Sequence, residues 1–286
     1  MRDWGKEKTA ADAGTEAKEL EILAKDWDWH VRRAVANNPG VPIEILRDLA
    51  KDQIQWVREA VAASPRADGE ILDLLSVDGD GFVRAAVANN HAASPEILED
   101  LYEDETMDFD CSLSKNRYIV QEAAAKNPRA PEEAIRTLSE HADEGVRAAA
   151  VSNPSVPQDV LFKRRIDHSW AVRTAVAKNP AVSVEILDYL AADRIQDVRV
   201  AVARNPKTPA ESLASLAADR DVEIRAAVAS NPGTDPATMK VLSRDWAWKV
   251  REWVAKNPAT PEDLVRSLAE DVDQSVKKEA RARIEG

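Results

Sequence analysis

Apolar positions in this chain come in short helical patterns divided by a fixed punctuation. In the stretch Asp193–Leu216, DRIQDVRVAVARNPKTPAESLASL, Val198, Ala201 and Val202 stand at i, i+3 and i+4, and Leu213 and Leu216 at i and i+3. Each spacing puts its apolar residues on one face of a helix. Asn205-Pro206 separates the two patterns; asparagine tolerates the left-handed conformation that closes a helix, and proline blocks its continuation. Thr208-Pro209-Ala210-Glu211 predicts the next start, with Thr as N-cap, Pro in the first turn and Glu completing a capping box. Ser94-Pro95 and Thr260-Pro261 predict the same opening. Two helices of two to three turns would each be marginal alone, so stacking must hold them.

The unit repeats. Aligned on Val-Arg, its Arg position holds Arg32, Arg58, Arg84, Gln121, Arg147, Arg173, Arg199, Arg225, Arg251 and Lys277, with a step of 26 residues everywhere except Arg84 to Gln121, where it is 37. A fixed period of this size predicts an all-α solenoid of about ten two-helix repeats, each completing its core with its neighbours. Asp recurs six positions before the Arg (Asp26, Asp52, Asp78, Asp167, Asp193, Asp219, Asp245, Asp271) and Ala four positions after it (Ala36, Ala62, Ala88, Ala125, Ala177, Ala203, Ala229, Ala255). Residues repeated this faithfully read as scaffold: Asp as cap of the first helix and partner of an Arg in its own or an adjacent unit, Ala as the site of close helix approach. Residues 1–19 lack the Val-Arg unit and read as a polar N-terminal segment, so the array is expected over 20–286, beginning with a half unit at Leu20 and Leu23 and ending in a charged cap, VKKEARARIEG. The 11 extra residues fall within 102–118 and predict an inserted loop.

The pattern D-x5-V-R-x-A-V-A-x-N-P-x-x-P-x-x-x-L-x-x-L, carried by Asp193, Val198, Arg199, Ala201, Asn205, Pro206, Pro209, Leu213 and Leu216, resembles the leucine-rich repeat variant family. The resemblance implies a right-handed superhelix of alternating α and 3₁₀ helices without a strand. The 26-residue step is longer than that family's usual repeat and leaves room for a second helix that is fully α. The Asp–Arg spacing is also similar to that of HEAT-type repeats, whose neighbouring units share such a ladder. Some members of the variant family carry a cysteine-ligated iron–sulfur segment; this chain has Cys111 alone, so no cofactor or metal is expected.

Charge and composition narrow the function classes. A net charge of −12 disfavours non-specific binding to nucleic acid or an anionic membrane. One cysteine excludes an internal disulfide framework. With no apolar run of membrane-spanning length and no signal-like start, a cytoplasmic protein is expected. The four histidines take unrelated repeat positions, and neither H-E-x-x-H nor G-x-S-x-G occurs, so the expectation is a non-enzymatic scaffold that binds a protein or peptide. The alternative from another class is a nucleic-acid-binding or base-acting protein of HEAT-like build.

Binding residues are sought where units differ. Trp29, Trp170 and Trp248 lie three positions before their Arg, Trp56 two before, and Trp27 and Trp246 five before; exposed there, they would form a ridge of the kind that anchors interfaces. Trp253 replaces an inward Ala and is expected in the core. In the insertion, Asp108, Phe109 and Asp110 are candidates for contact with a partner, and Cys111 for an exposed thiol. A sparse basic row five positions after the Arg, Lys126, Lys178, Arg204 and Lys256, would serve the nucleic-acid alternative.

Overall fold

The computed structural model of the chain describes residues 2–110 and 115–285, with 108–110 and 115–117 as backbone. Those residues form 21 helices and one two-stranded hairpin, and the chain divides into two compact units, Met1–Ser155 and Val156–Gly286. Within each unit the architecture is the predicted stack of helix pairs. Second helices such as Ile43–Leu49 and Ala210–Leu216 are α-helical, as the long repeat allowed. First helices bury Val and Ala, as in Val198, Ala201, Val202 and Ala203 of Gln196–Arg204, and second helices bury Leu and Ile, as in Leu213 and Leu216. The recurrent Ala is fully buried at all eight predicted positions, where neighbouring first helices come close.

The Arg and Asp rows do form a ladder, and its partner is the next unit. Arg32, Arg58, Arg84, Arg173, Arg199, Arg225 and Arg251 each reach an Asp 20 residues on (Asp52, Asp78, Asp104, Asp193, Asp219, Asp245, Asp271), with Nε to Oδ2 at 2.6 to 2.8 Å. The same guanidinium donates to the backbone carbonyl of its own unit's Asp, as Arg225 Nη1 does to Asp219 O at 2.9 Å. The Asp is not the N-cap of its helix. Its Oδ1 accepts from the backbone N–H two residues on, as Asp219 does from Asp221 at 2.9 Å, and Asp221 then caps the helix. Burial pushes the Asp193 carboxyl up, but Arg173 and the Ile195 amide outweigh it and hold it below the ordinary carboxylate value.

A second ladder runs the other way. The Asn of the Asn-Pro punctuation is buried, and its Nδ2 donates to the Ala carbonyl of the preceding unit: Asn90 to Ala62, Asn127 to Ala88, Asn153 to Ala125, Asn205 to Ala177 and Asn231 to Ala203, all at 2.7 Å. Oδ1 closes the local turn, as Asn231 does on Gly233 N–H at 2.8 Å. The predicted capping Thr is displaced by the same demand for donors. Thr208, Thr234 and Thr260 send their hydroxyls to the carbonyls of Val202, Val228 and Val254 at 2.5 to 2.6 Å, satisfying first-helix ends that have no further helical amide. Pro209 and Pro261 take the N-cap position there; Ser94 alone of the predicted openings caps as expected, accepting from Ile97 N–H.

Helix Trp4–Ala11 lies within the segment set outside the array and packs on Trp29–Ala36. It occupies a first-helix place: Lys6 stands 26 residues before Arg32 and binds Asp26 at 2.6 Å, while Ala10 stands 26 before Ala36, is fully buried, and accepts from Asn38. In the insertion, Asp108–Asp110 pairs antiparallel with Lys115–Arg117. Asp104, counted with the insertion by sequence, instead completes the ladder from Arg84. None of the helices among the described residues is long and apolar enough to cross a membrane.

Candidate functional site

The tryptophans separate by packing rather than by repeat position. In the first unit Trp27 is 69% exposed, because its place in the turn leaves the ring in water while its carbonyl accepts from Arg32 at 3.2 Å. Trp29 is partly buried against the core, stacked on His30 at 3.8 Å and 4.8 Å from the ring of Trp56. In the second unit Trp170, Trp246 and Trp248 are exposed, and Trp246 lies 5.5 Å over the Arg225 guanidinium. Trp253, expected in the core, is also exposed. Its counterparts Ala201 and Ala227 are 3% exposed, in a gap between first helices that an indole does not fit, so the ring lies outside with Lys256 Nζ 5.3 Å from it.

Trp170 borders a concave surface. Helices Trp170–Lys178 and Gln196–Arg204 enclose a groove of about 520 Å³. Trp170, Thr174 and Lys178 are spaced four apart and form one wall. Asp197, Ala201 and Arg204, at i, i+4 and i+7, form the other, and Pro180 and Lys207 from the following turns close the end. The groove is therefore aromatic and apolar through most of its length, with an acid beside the tryptophan end and three cations at the far end. Lys178 and Arg204 come from the predicted basic row, so the structure joins two candidates that the sequence kept apart. Thr174, Asp197, Pro180 and Lys207 were not singled out by sequence; the i+4 spacing from Trp170 was the available signal.

The rest of the basic row is dispersed. Lys256 is paired with Glu252 at 2.7 Å, which removes it from any run of free cations. Lys126 borders a separate hollow of about 420 Å³ in the first unit that also holds Glu59 and Glu122, and burial raises the Glu59 carboxyl above its ordinary value. The expectations at the insertion fall elsewhere: Cys111 lies outside the described residues, and the side chains of Asp108, Phe109 and Asp110 lie outside those described. The sequence also passed over an exposed group on second helices, where Arg165 sits 3.5 Å from the Phe162 ring centroid and 5.1 Å from that of Tyr189.

Residues 197–244 and 224–284 match the Leucine Rich Repeat Variant domain. The stretch 197–284 carries leucine-rich repeat variant repeats. A solved structure described as a leucine-rich repeat variant with a novel repetitive protein structural motif is similar to it at 21% identity, over 82% of this chain and 88% of that one, with a TM-score of 0.55; that likeness shows the helical repeat fold. An engineered protein matches at 17% identity over 100% of this chain and 98% of its own, with a TM-score of 0.36, too loose to bear on the repeats. No curated protein matches.

Proposed function

We propose that this leucine-rich repeat variant protein is a non-enzymatic scaffold that binds a protein or peptide partner on the surface of its first helices. The observation that carries the reading is the groove between Trp170–Lys178 and Gln196–Arg204, where a half-exposed indole flanks an apolar floor of Val200 and Ala201. Exposed tryptophan beside a concave apolar surface is what interface hot spots are built from. The recurrent Asp, Arg and Asn are consumed in joining repeats and the Thr in closing its own first helix, so they supply no free chemistry for catalysis. A photocrosslinking side chain at Val200, compared with one at Val241 on an exposed second-helix position, tests the proposal. A polypeptide captured from Val200 alone, which the purified partner reproduces, is the expected result; equal capture from both positions, or none from either, overturns it.

A further inference from the structure

The groove has a chemical polarity that specifies its ligand more narrowly than "a protein". Along one wall, Trp170, Thr174 and Lys178 span eight residues, or about 12 Å of helix axis. The facing wall runs in the same sense, from Asp197 through Val200 and Ala201 to Arg204. Lys178, Arg204 and Lys207 converge at one end. Their side chains make no hydrogen bond or ion pair with other described residues, although the chain as a whole carries 51 acidic residues against 39 basic. Two cations further along the same unit are neutralised, Lys256 by Glu252 and Lys249 by Glu223. Three unpaired cations clustered beside an apolar floor, on an acidic protein, are a specific local field for an anion. Lys178 and Arg204 also stand in the last turns of their helices, where a cation offsets the macrodipole; Lys207 lies beyond the helix and owes nothing to it.

A second observation points to an occupant. Thr174 is 8% exposed, and its hydroxyl is buried with no hydrogen-bond partner among the described residues. An orphaned hydroxyl in a groove wall is destabilising, and a Thr174 side chain turned toward the groove finds its missing partner in a peptide amide or carbonyl.

We infer that the groove takes an extended acidic peptide, in which an apolar side chain rests against Trp170 and, three or four residues away, Asp or Glu side chains meet Lys178, Arg204 and Lys207. The span fits: extended chain advances about 3.3 Å per residue, so roughly four residues cover the distance from the indole to the cations. Asp197 at the tryptophan end selects against a uniform polyanion. A nucleic-acid strand would bring phosphate past that carboxylate, whereas a peptide with its acids at one end avoids it. This inference rests on the peptide-binding reading above and adds the charge of the ligand to it.

The experiment is a fluorescence-anisotropy titration of the full chain with a fluorescein-labelled peptide of one leucine, two serines and three glutamates, against its glutamine counterpart and labelled oligouridylate of six nucleotides. Expected are saturable binding of the acidic peptide, at least tenfold weaker binding of the glutamine peptide, and affinity that falls as salt rises from about 50 to 300 mM. The triple variant Lys178→Gln, Arg204→Gln, Lys207→Gln and the single variant Trp170→Ala should each weaken the acidic peptide at least tenfold. All four positions are exposed at the surface, and circular dichroism confirms that the variants fold. Equal affinity for acidic and glutamine peptides, indifference to the triple substitution, no binding at about 1 mM chain, or tighter binding of oligouridylate each overturns the inference. The two proposals fail separately. A partner crosslinked at Val200 whose binding survives the triple substitution leaves the peptide-binding reading standing and removes only the acidic preference.

Discussion

Arg283 stands 26 residues after Asn257 and donates to the Asn257 carbonyl; Asn257 itself donates to the carbonyl of Asn231 at 2.9 Å. The last helix, Gln274–Glu285, thus meets the final repeat with a guanidinium where Asn90, Asn127, Asn153, Asn205, Asn231 and Asn257 each use an amide, Ser64 being the exception among the earlier repeats. The longer side chain adds bonds to the carbonyls of Pro258 and Thr260, both at 2.9 Å. The extra donors tie this helix to the preceding repeat at more points than one amide does.

Arg283→Ala should therefore loosen the end rather than the whole. Up to four carbonyls lose a charged donor, a cost of about 2 kcal/mol or more. Hydrogen exchange is expected to speed up in Gln274–Glu285 and Glu262–Leu268 while Gln196–Arg204 stays protected. Uniform acceleration, or none, would refute a capping role.

Arg225 and Asp245 are the clearest rung of the forward ladder, with both side chains 8% exposed and bonds of 2.6 and 3.0 Å. Arg225→Ala leaves a buried carboxylate without its partner and should cost about 3–5 kcal/mol. Adding Asp245→Ala should recover part of that loss, since the second change removes the stranded charge. Urea denaturation of the two single variants and the double variant gives the coupling directly, and additive losses would count against a paired rung.

Gln121 breaks the ladder. It fills the Arg position, donates through Nε2 to Tyr102 O at 2.8 Å, and keeps a buried Oε1 without a partner among the described residues. Twenty residues on, His141 fills the Asp position, its Nδ1 accepting from Asp143 N–H at 3.0 Å as the Asp would. Gln121→Arg alone buries an unmatched charge and should destabilise; combined with His141→Asp it rebuilds the rung. A favourable coupling of roughly 1–3 kcal/mol is expected in the double-mutant cycle, measured by thermal unfolding. Zero coupling would mean that the 20-residue register is lost at this junction.

Asp28 anchors the N-terminal helix by accepting from Asp3 N–H at 2.8 Å. That amide, with His30 acting in the same direction against burial, pulls its carboxyl from 3.8 to about 2. A carboxyl with a lowered folded-state value stabilises fully above its unfolded value and loses that contribution as the pH falls through the folded one. The stability difference between the wild type and Asp28→Asn should thus be at its full size at pH 5, shrink below about pH 4, and approach zero near pH 2. Guanidine midpoints across that range test it, and a difference that grows on acidification would contradict it.

How much of this could be read from sequence depends on which residues repeat. The stacked helix pairs follow from spacing alone, and so does the Arg–Asp association. Its direction does not, because Asp six before and Asp 20 after an Arg recur equally often when the period is 26. The first helix was missed for a related reason: Gly5-Lys6 replaces Val-Arg, so the apolar signal disappears although Lys6 and Ala10 keep their duties. Trp29 and Trp170 share a repeat position, yet Trp29 has Trp56 against it and Trp170 borders an open groove. What lies across from a residue is set by the neighbouring unit, and a frame read one repeat at a time does not contain it. The groove combines one helix's Trp, Thr and Lys with the next helix's Asp and Arg for the same reason.

The two ladders also decide where such a chain can change length. The Arg84 rung closes at Asp104, and the next rung position opens at Gln121. The extra residues lie between them, outside every Arg–Asp rung but inside an Asn rung, where Asn127 still reaches Ala88 at 2.7 Å. Even there they move the Asp position from six to 17 residues before the Arg position, and the guanidinium is replaced by a shorter amide that turns to Tyr102 instead. Placed between Asp104 and Gln121, they leave the 20-residue span of each Arg–Asp rung untouched. A protein of this kind can be lengthened by whole copies at any junction, but it accepts foreign sequence at one seam, and that seam is the position for grafting a loop without unpicking the stack.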